Sequence, residues 1–550
     1  MKQKVMMIHP ADNVLVALTD LAANEKVEYN GKEYTLINRI PAKHKFVMQD
    51  MQPGDKIFMY GVLVGKAETE IPKGGRITTS NVKHAASGFQ VGERSTDWHK
   101  PDVSEFINQT FNGFHRQDGK VGTANYWLVI PLVFCENKNI EVLREAMENE
   151  LGYGRNQNKK LEVSKLVDLY KEGKSIEEIL NADVSANIEE EKTQRVFPNV
   201  DGVKFLSHEG GCGGTRDDSR ALCGLLAGYI THSNVAGATI LSLGCQNAQV
   251  GILQEEINKR DKNFSKPLYI LEQQQIGRGD DLIAKAIKQT FAGLVEANKI
   301  ERKPAPLSKL CIGLECGGSD GFSGISANPA IGYTSDLLVA LGGSVILSEF
   351  PELCGVEQNL SDRCVDRETA LRFGSLMTTY NEKAKAVGSG FDMNPSPGNI
   401  KDGLITDAIK SAGAAKKGGT SPVTAVLDYT EMITKAGLNL LCTPGNDVES
   451  TTAEVGSGAN IVLFTTGLGT PTGNPIAAVV KLSSNTILFN RMNDIIDINT
   501  GTIIEGEETV HEAGERILEY IIKVASGDEE VSAVRRQQND FIPWKRGVSL

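Results

Sequence analysis

The sequence predicts an α/β protein: a main region built on parallel, Rossmann-like sheets, with a small β-rich unit ahead of it. Three observations predict this. From about residue 200, short apolar runs alternate with helical patterns, as at 203–207 then 218–231, 238–243 then 248–259, and 310–314 then 331–341. Such β-α repetition gives a parallel sheet covered by helices on both faces. Most of these runs end in a glycine-rich polar turn. The first 87 residues instead carry short strand patterns punctuated by Asn30-Gly31, Pro53-Gly54-Asp55 and Lys73-Gly74-Gly75, which are hairpin and turn signals.

Taken in order, residues 1–87 predict strands at 14–18, 34–37, 45–48 and 56–67. His9, His44 and His84 fall in this unit. Residues 88–115 are polar and aperiodic and read as a linker, with a hinge expected there. A polar turn from Arg116 feeds an apolar run, 126–134. Residues 136–195 look helical and charged, and Glu189-Glu190-Glu191 reads as a solvated face. The β-α series then adds strands at 268–271 and 344–347, followed by helices at 281–297 and 367–387. Strands at 437–441 and 460–464 again run into polar loops, and 510–525 is an amphipathic helix. The main region is divided into a first part, 116–390, and a C-terminal part, 391–550.

Composition narrows the function. With 550 residues and a formal charge of −12, a broad nucleic-acid footprint is not expected. No apolar run reaches spanning length and the N-terminus lacks a signal-peptide core, so a cytoplasmic protein away from membranes is expected. Nine cysteines without a CxxC pair are not a disulfide framework and argue against the common structural zinc site.

The candidate site comes from what the strands end in. In open α/β sheets ligands bind beyond the carboxyl ends of strands. Here those ends read His208-Glu-Gly-Gly-Cys212, Gly244-Cys245-Gln-Asn, Glu272-Gln-Gln-Gln275, Glu315-Cys316-Gly317-Gly318-Ser319-Asp320 and Ser348-Glu-Phe-Pro-Glu352. The stretch 310–328 is not a nucleotide signature, because it contains neither GxGxxG nor GxxxxGK[ST]. The seven strand-end loops are expected to converge on one edge. Amides and hydroxyls at Ser319, Ser323, Asn328, Asn399 and Asn446, with backbone N–H groups at Gly317 and Gly318, suit a small anionic, hydroxylated ligand. His208, Cys212, Cys245 and Cys316 suit a soft-ligand metal site; Cys212, Cys245 and Cys316 would alternatively hold an iron–sulfur cluster. Glu315, Asp320, Glu349 and Glu352 offer oxygen ligands and bases. A metal-held carboxylate with a base near it is the chemistry of a sugar-acid dehydratase; the residues alone leave aldolase and isomerase open.

These motifs resemble the altronate/galactarate dehydratase family along nearly the whole chain. Ile8-His9-Pro-Ala-Asp-Asn-Val14, Lys43-His44-Lys45-Phe46, Tyr60-Gly61 and Val64-Gly65 are similar to its N-terminal β-clip (SAF) domain. Arg116, Asp118-Gly119, Val121-Gly122, Asn125, the Gly244-Cys245 turn, Gln273–Gln275, Glu315–Asp320, Ala327-Asn328-Pro329, Pro395-Ser-Pro-Gly-Asn399 and Pro444-Gly-Asn-Asp447 match the rest. Glu315 before Cys316 and Pro444–Asp447 resemble the altronate branch. The resemblance implies a hydro-lyase converting D-altronate to 2-dehydro-3-deoxy-D-gluconate in hexuronate breakdown. It implies an Fe²⁺ requirement, with Mn²⁺ as a substitute. A galactarate or other sugar-acid dehydratase is the near alternative and a non-catalytic sugar-acid binder the far one. His44 and His9, reaching over from the small domain, join Glu315 and Asp320 as expected catalytic groups. A homo-oligomer acting on a small-molecule substrate is expected. Two departures stand out: the segment 209–214 lacks the family's more polar, tyrosine-containing version, and Leu468 stands where an Arg is usual.

Overall fold

The computed structural model describes residues 3–92, 94–154, 159–187 and 194–550. The Glu189–Glu191 run lies outside the described residues.

The N-terminal unit is built from short antiparallel strands, as expected for a β-clip. Val5–Met6, Val14–Ala17 and Lys45–Val47 form one sheet, Lys26–Tyr29 pairs with Lys32–Thr35, and Lys56–Met59, Val62–Ala67 and Val82–Lys83 form a third. Strand alternation divides its apolar residues. Leu15, Ala17 and Phe46 face Tyr34, Leu36 and Ile40 in a private core. Val14, Val16 and Val47 face the other way and join the core of the main region. The unit is therefore packed against the rest of the chain from the start.

Among the described residues of 88–109 there is no helix or strand, but the linker is shorter than 88–115. Thr110–His115 is a strand that pairs with Arg302–Pro306 and with Val121–Gly122. The remainder lies along the main region. Phe89 meets Phe373 edge-on, with ring centroids 6.5 Å apart, and the Trp98 indole donates to Thr420 at 3.1 Å.

The main region holds two parallel sheets. The first has four strands: β1 (Tyr126–Pro131), β2 (Gly202–Phe205), β3 (Val235–Ser242) and β4 (Leu268–Glu272), in the order β2-β1-β3-β4. The second has seven: β5 (Cys311–Cys316), β6 (Ser344–Leu347), β7 (Val423–Leu427), β8 (Gly437–Leu441), β9 (Ile461–Thr466), β10 (Ala478–Ser483) and β11 (Ile498–Asn499), in the order β7-β8-β6-β5-β9-β10-β11. Every pairing in both sheets is parallel. The expected division at 390 is therefore corrected: strands on both sides of it share one sheet, and the break between units falls near residue 300. The chain moves outward from β5 on one side and returns through β9 on the other. That reversal makes a switch point, with a crevice beyond the carboxyl ends of β5 and β9.

The C-terminal segment ties the two sheets together. Trp544 packs on Tyr380 and Tyr429, each at 5.2 Å between centroids. Arg546 pairs with Asp428 beyond β7, while its backbone N–H donates to Asp218 beyond β2 at 2.9 Å. The Leu550 N–H reaches the Gly213 carbonyl at 2.7 Å. Among the described residues no helix is long and apolar enough to cross a membrane.

Candidate active site

At the switch point β5 ends in Glu315 and Cys316, both buried. A strand covered on both faces has no solvated side, so every polar group it carries must find a partner inside. The partners come from four directions. β6 runs into Ser348 and Glu349. The turn after it carries Glu352. Helix α1 (Asp407–Ala414) brings Lys410, and the turn after it brings Lys417. Helix α2 (Asp447–Ser457) brings Asp447 at its first turn and Glu454 at its last.

The geometry is that of two buried ion pairs sharing a thiol. Lys417 Nζ donates to Glu349 Oε2 at 2.7 Å, and Lys410 Nζ donates to Glu352 Oε1 at 2.6 Å and to Asn394 at 3.0 Å. Cys316 Sγ donates to Glu352 at 3.1 Å and lies 3.4 Å from Glu349, whose same oxygen accepts the Cys316 N–H at 3.1 Å. Glu349 adopts φ +61°, in the left-handed region. This costs about 1–3 kcal/mol for a non-glycine residue. The surrounding contacts hold it, and it turns the carboxylate toward Lys417. A hydroxyl chain runs alongside: Thr443 meets Ser450 at 2.9 Å, Ser450 donates to Ser348 at 3.0 Å, and Ser348 donates to Glu454 at 2.6 Å.

The buried groups shift one another. Burial, then Glu349 and Glu454, pushes the Glu315 carboxyl well above the usual range. Burial pushes Glu454 up to about 8. Both shifts favour the protonated form. Burial raises Glu352 too, but Lys410 and Lys417 outweigh it and hold that carboxyl low. Burial opposes the charge on Lys417, but Cys316, Glu349 and Glu315 outweigh it and push its pKa up. Burial, then Glu352, raises the Glu349 carboxyl against the pull of Lys417, so the pair with Lys417 is held in a site that resists its charge. Burial, with Glu349 and Glu352, also raises the Cys316 thiol well above its usual value. Asp447 is pushed up to about 7 by burial, then by Glu349 and Glu352. Its carboxyl overlies the backbone after Cys316: a Cβ at Gly317 would lie 2.1 Å from Asp447 Oδ2.

The site opens at one side. Gly445 and Asn446 are exposed, and Gly318, Asp447 and Leu468 are half-buried. Two surface clefts, of ≈ 610 and ≈ 640 Å³, lie elsewhere, around Arg516 and Glu508 and around Arg372 and Glu431. Neither is lined by any member of this cluster.

The other expected residues fall as follows. Asp320 is a hub: Oδ1 accepts from the N–H groups of Phe322 and Ser323 and the hydroxyls of Ser323 and Ser484, and Oδ2 accepts from Asn485 and pairs with Lys43 at 2.9 Å. It ties the loop to the N-terminal unit. Asn328 donates to the Gly413 carbonyl and accepts from Thr465, Asn399 donates to the Ser319 carbonyl, and Asn446 caps α2. The Gly318 carbonyl accepts the N–H groups of Gly467 and Leu468. Gly324 is needed for docking, since a Cβ there would lie 2.2 Å from the Tyr60 hydroxyl of the N-terminal unit. His44 Nε2 lies 3.0 Å from the Lys401 carbonyl, and burial lowers its pKa. His9 is exposed, under Gly61.

The expected ligand set is corrected. Cys316 belongs to the seven-stranded sheet, whereas His208, Cys212 and Cys245 follow strands of the other sheet, so the strand ends serve two edges. His208 is buried with both ring nitrogens engaged, Nε2 at 2.7 Å from the Pro131 carbonyl and Nδ1 accepting from Gly210. Among the described residues two groups bring three ligand atoms within 4.8 Å of one another, Cys316–Glu349–Glu352 and His84–Cys354–Asp407. The first fits a divalent ion of intermediate softness: one sulfur, two carboxylates, and a buried Glu349 Oε1 that has no hydrogen-bond partner. Sequence reasoning missed Lys410, Lys417 and Glu454, and quoted Asp447 within the Pro444–Asp447 motif without giving it a role. Asp447 alone had a signal, one residue beyond Asn446 in a strand-end loop.

Three family models cover the chain. The altronate/galactarate dehydratase SAF domain matches residues 3–85, the D-galactarate dehydratase/altronate hydrolase second domain 113–298, and the D-galactarate/altronate dehydratase C-terminal domain 307–549. Altronate dehydratase of Bacillus subtilis is 33% identical over 99% of both chains. Altronate dehydratase of Escherichia coli is 32% identical, again over 99% of both. The L-threo-forming galactarate dehydratase of Escherichia coli is 30% identical over 95% of this chain and 93% of its own. The buried carboxyl–lysine cluster therefore sits in an enzyme of the hydro-lyase class, and the chain belongs to the altronate/galactarate dehydratase family.

Proposed function

We propose that this enzyme dehydrates D-altronate to 2-dehydro-3-deoxy-D-gluconate, a step of hexuronate breakdown. The observation that carries the reading is the cluster at the switch point, in a chain that aligns end to end with two altronate dehydratases. Lys410 and Lys417 supply positive charge where the substrate carboxylate gains electron density as its α-proton leaves. Asp447, with its pKa pushed to about 7 and its place beside the open mouth, takes the C2 proton. Glu315, whose carboxyl burial pushes well above the usual range, gives a proton to the departing C3 hydroxyl. The enol then tautomerises to the 2-keto-3-deoxy acid. An Fe²⁺ ion, or Mn²⁺ in its place, held by Cys316, Glu349 and Glu352 would supply Lewis acidity toward the carboxylate and its neighbouring hydroxyl. Leu468 lines the mouth near Gly318 and offers no cation to a second carboxylate, which favours a mono-acid over galactarate.

A homo-oligomer is part of this reading. Helices Val163–Lys171 and Ile176–Leu180 bury none of their residues and leave Tyr170, Ile176 and Leu180 at 76%, 72% and 79% exposure. Light scattering tests it. The reaction is tested by incubating aldonic and aldaric acids with the enzyme and Fe²⁺ without oxygen and measuring 2-keto acid. Altronate should give product fastest. If no sugar acid gives a 2-keto product, the reading fails.

A further inference from the structure

The chain has nine cysteines. Six are buried or half-buried, and the three exposed ones are Cys135, Cys212 and Cys245. Free cysteine is among the most buried residue types, so three exposed thiols in one place need a reason. They follow β1, β2 and β3, and β1 lies between the other two. All three therefore stand at the carboxyl edge of the four-stranded sheet, where a parallel sheet takes its ligands.

The three loops are bonded to one another. The Phe134 N–H donates to the Gly210 carbonyl at 3.1 Å, joining the Cys135 loop to the Cys212 loop. The Ala248 N–H donates to the Gly211 carbonyl at 3.0 Å, joining the Cys245 loop to the Cys212 loop. His208 fastens the Cys212 loop to the end of β1 through Pro131. From the end of β4, the Gln274 amide donates to Cys245 Sγ at 3.3 Å. Amide hydrogen bonds to sulfur are among the means by which a protein tunes a thiolate-bound metal centre.

We propose that Cys135, Cys212 and Cys245 hold an iron–sulfur cluster through three thiolates, leaving one iron open to a small oxygen ligand. Thiolates on a single metal ion, each about 2.3 Å from it, lie about 3.8 Å apart. These three sulfurs are not among the groups whose ligand atoms come within 4.8 Å of one another. A cluster, with iron and sulfide between its ligands, needs its thiolates farther apart than a single ion does. Assembly takes ferrous and ferric iron in equal parts and one sulfide per iron, and each cysteine releases its proton to solvent.

The inference goes beyond the dehydratase reading and is tested without turnover. The full chain is reconstituted without oxygen from ferrous and ferric iron and sulfide, then desalted. Iron and acid-labile sulfide are counted, and absorbance is read at roughly 400 nm, where thiolate-bound clusters absorb. Sulfide should match iron beyond any ion at the other site, with the band present. Cys135→Ser, Cys212→Ser and Cys245→Ser should each lose most of the sulfide and the band, while Cys316→Ser keeps both. Iron held by Cys316, Glu349 and Glu352 would come without sulfide and survive Cys135→Ser, so the two sites are told apart. Alkylation read by mass spectrometry guards against misfolded variants: in wild type these three thiols should react before reconstitution and be protected after it. Iron without sulfide, a band that survives Cys135→Ser, or unprotected thiols would each overturn the proposal.

Discussion

Replacing Lys417 by Met removes the cation that faces Glu349 while keeping most of the buried stem. Both partners of the pair are 1% exposed, so water cannot take the place of the ammonium. Breaking one side of a buried pair commonly costs about 3–5 kcal/mol. Here Glu349 has a way out, because it can bind a proton. A carboxyl with an unfolded-state value of 4.5 that must stay neutral at pH 7 costs at most about 3.4 kcal/mol, at 1.36 kcal/mol per pH unit. The sign follows. In the variant the folded pKa of Glu349 lies far above the unfolded one, so the unfolded state releases its proton first as pH rises. The penalty therefore grows with pH above 4.5 and shrinks toward it. Urea unfolding of wild type and Lys417→Met would read a difference of up to about 3.4 kcal/mol near pH 7 and only about 0.7 kcal/mol near pH 5. Adding Glu349→Gln should remove most of the pH dependence. A loss of equal size at both pH values would refute the reasoning, since it would mean that Lys417 contributes only packing.

Asp447→Asn should lower kcat by about 10²–10⁴-fold and remove the rise in activity centred on about pH 7; an unchanged pH profile would exclude Asp447 as the base. Gly324→Ala forces a Cβ to within 2.2 Å of the Tyr60 hydroxyl and 2.8 Å of Gly413 Cα. Overpacking of that kind costs about 1–3 kcal/mol, so proteolysis within residues 88–109 should quicken, and an unchanged cleavage rate would count against it. Lys45 is fully buried, donating to the Gly403 carbonyl at 2.8 Å, and burial lowers its pKa to about 7. With the folded pKa below the unfolded one, stability on this account rises with pH between the two. The slope is at most about 1.36 kcal/mol per unit. Lys45→Met should show a shallower slope than wild type in unfolding at pH 8 and 9, and identical slopes would dismiss the account.

The strands themselves were legible. Residues 344–347 form β6 as expected, and 268–271 falls within β4, because short apolar runs closed by glycine are local signals. The polar strand ends pointed to Glu315, Glu349 and Glu352. What local pattern does not carry is which sheet a parallel strand joins. β5 pairs with β6 and β9, Ile312 lying opposite both Val345 and Ile461. A single converging edge was therefore read where there are two. Lys417 sits in Ala-Ala-Lys-Lys-Gly-Gly, which reads as a solvated turn until Glu349 is placed above it. Cys135 was hidden for the same reason, at the start of a charged helical stretch. The glycines of 317–324 were read as a cradle for an anion; two of them make room for Asp447 and Tyr60 instead.

The pairing of β5 with β9 also sets an order in time. During synthesis β5 leaves the ribosome long before Ile461 does, so the middle strand of the seven must wait, one edge unpaired, while some hundred and fifty residues follow it (from Ile312 to Ile461). The four-stranded unit, with all its strands earlier in the chain, is free to finish first. Until β9 pairs with β5, the strand that carries Glu315 and Cys316 has one edge open to water, and the cost of drying the cluster cannot be met in full. The charged centre is thus enclosed only in chains made past residue 461, and a chain cut short before it would leave the edge of β5 open to a neighbour.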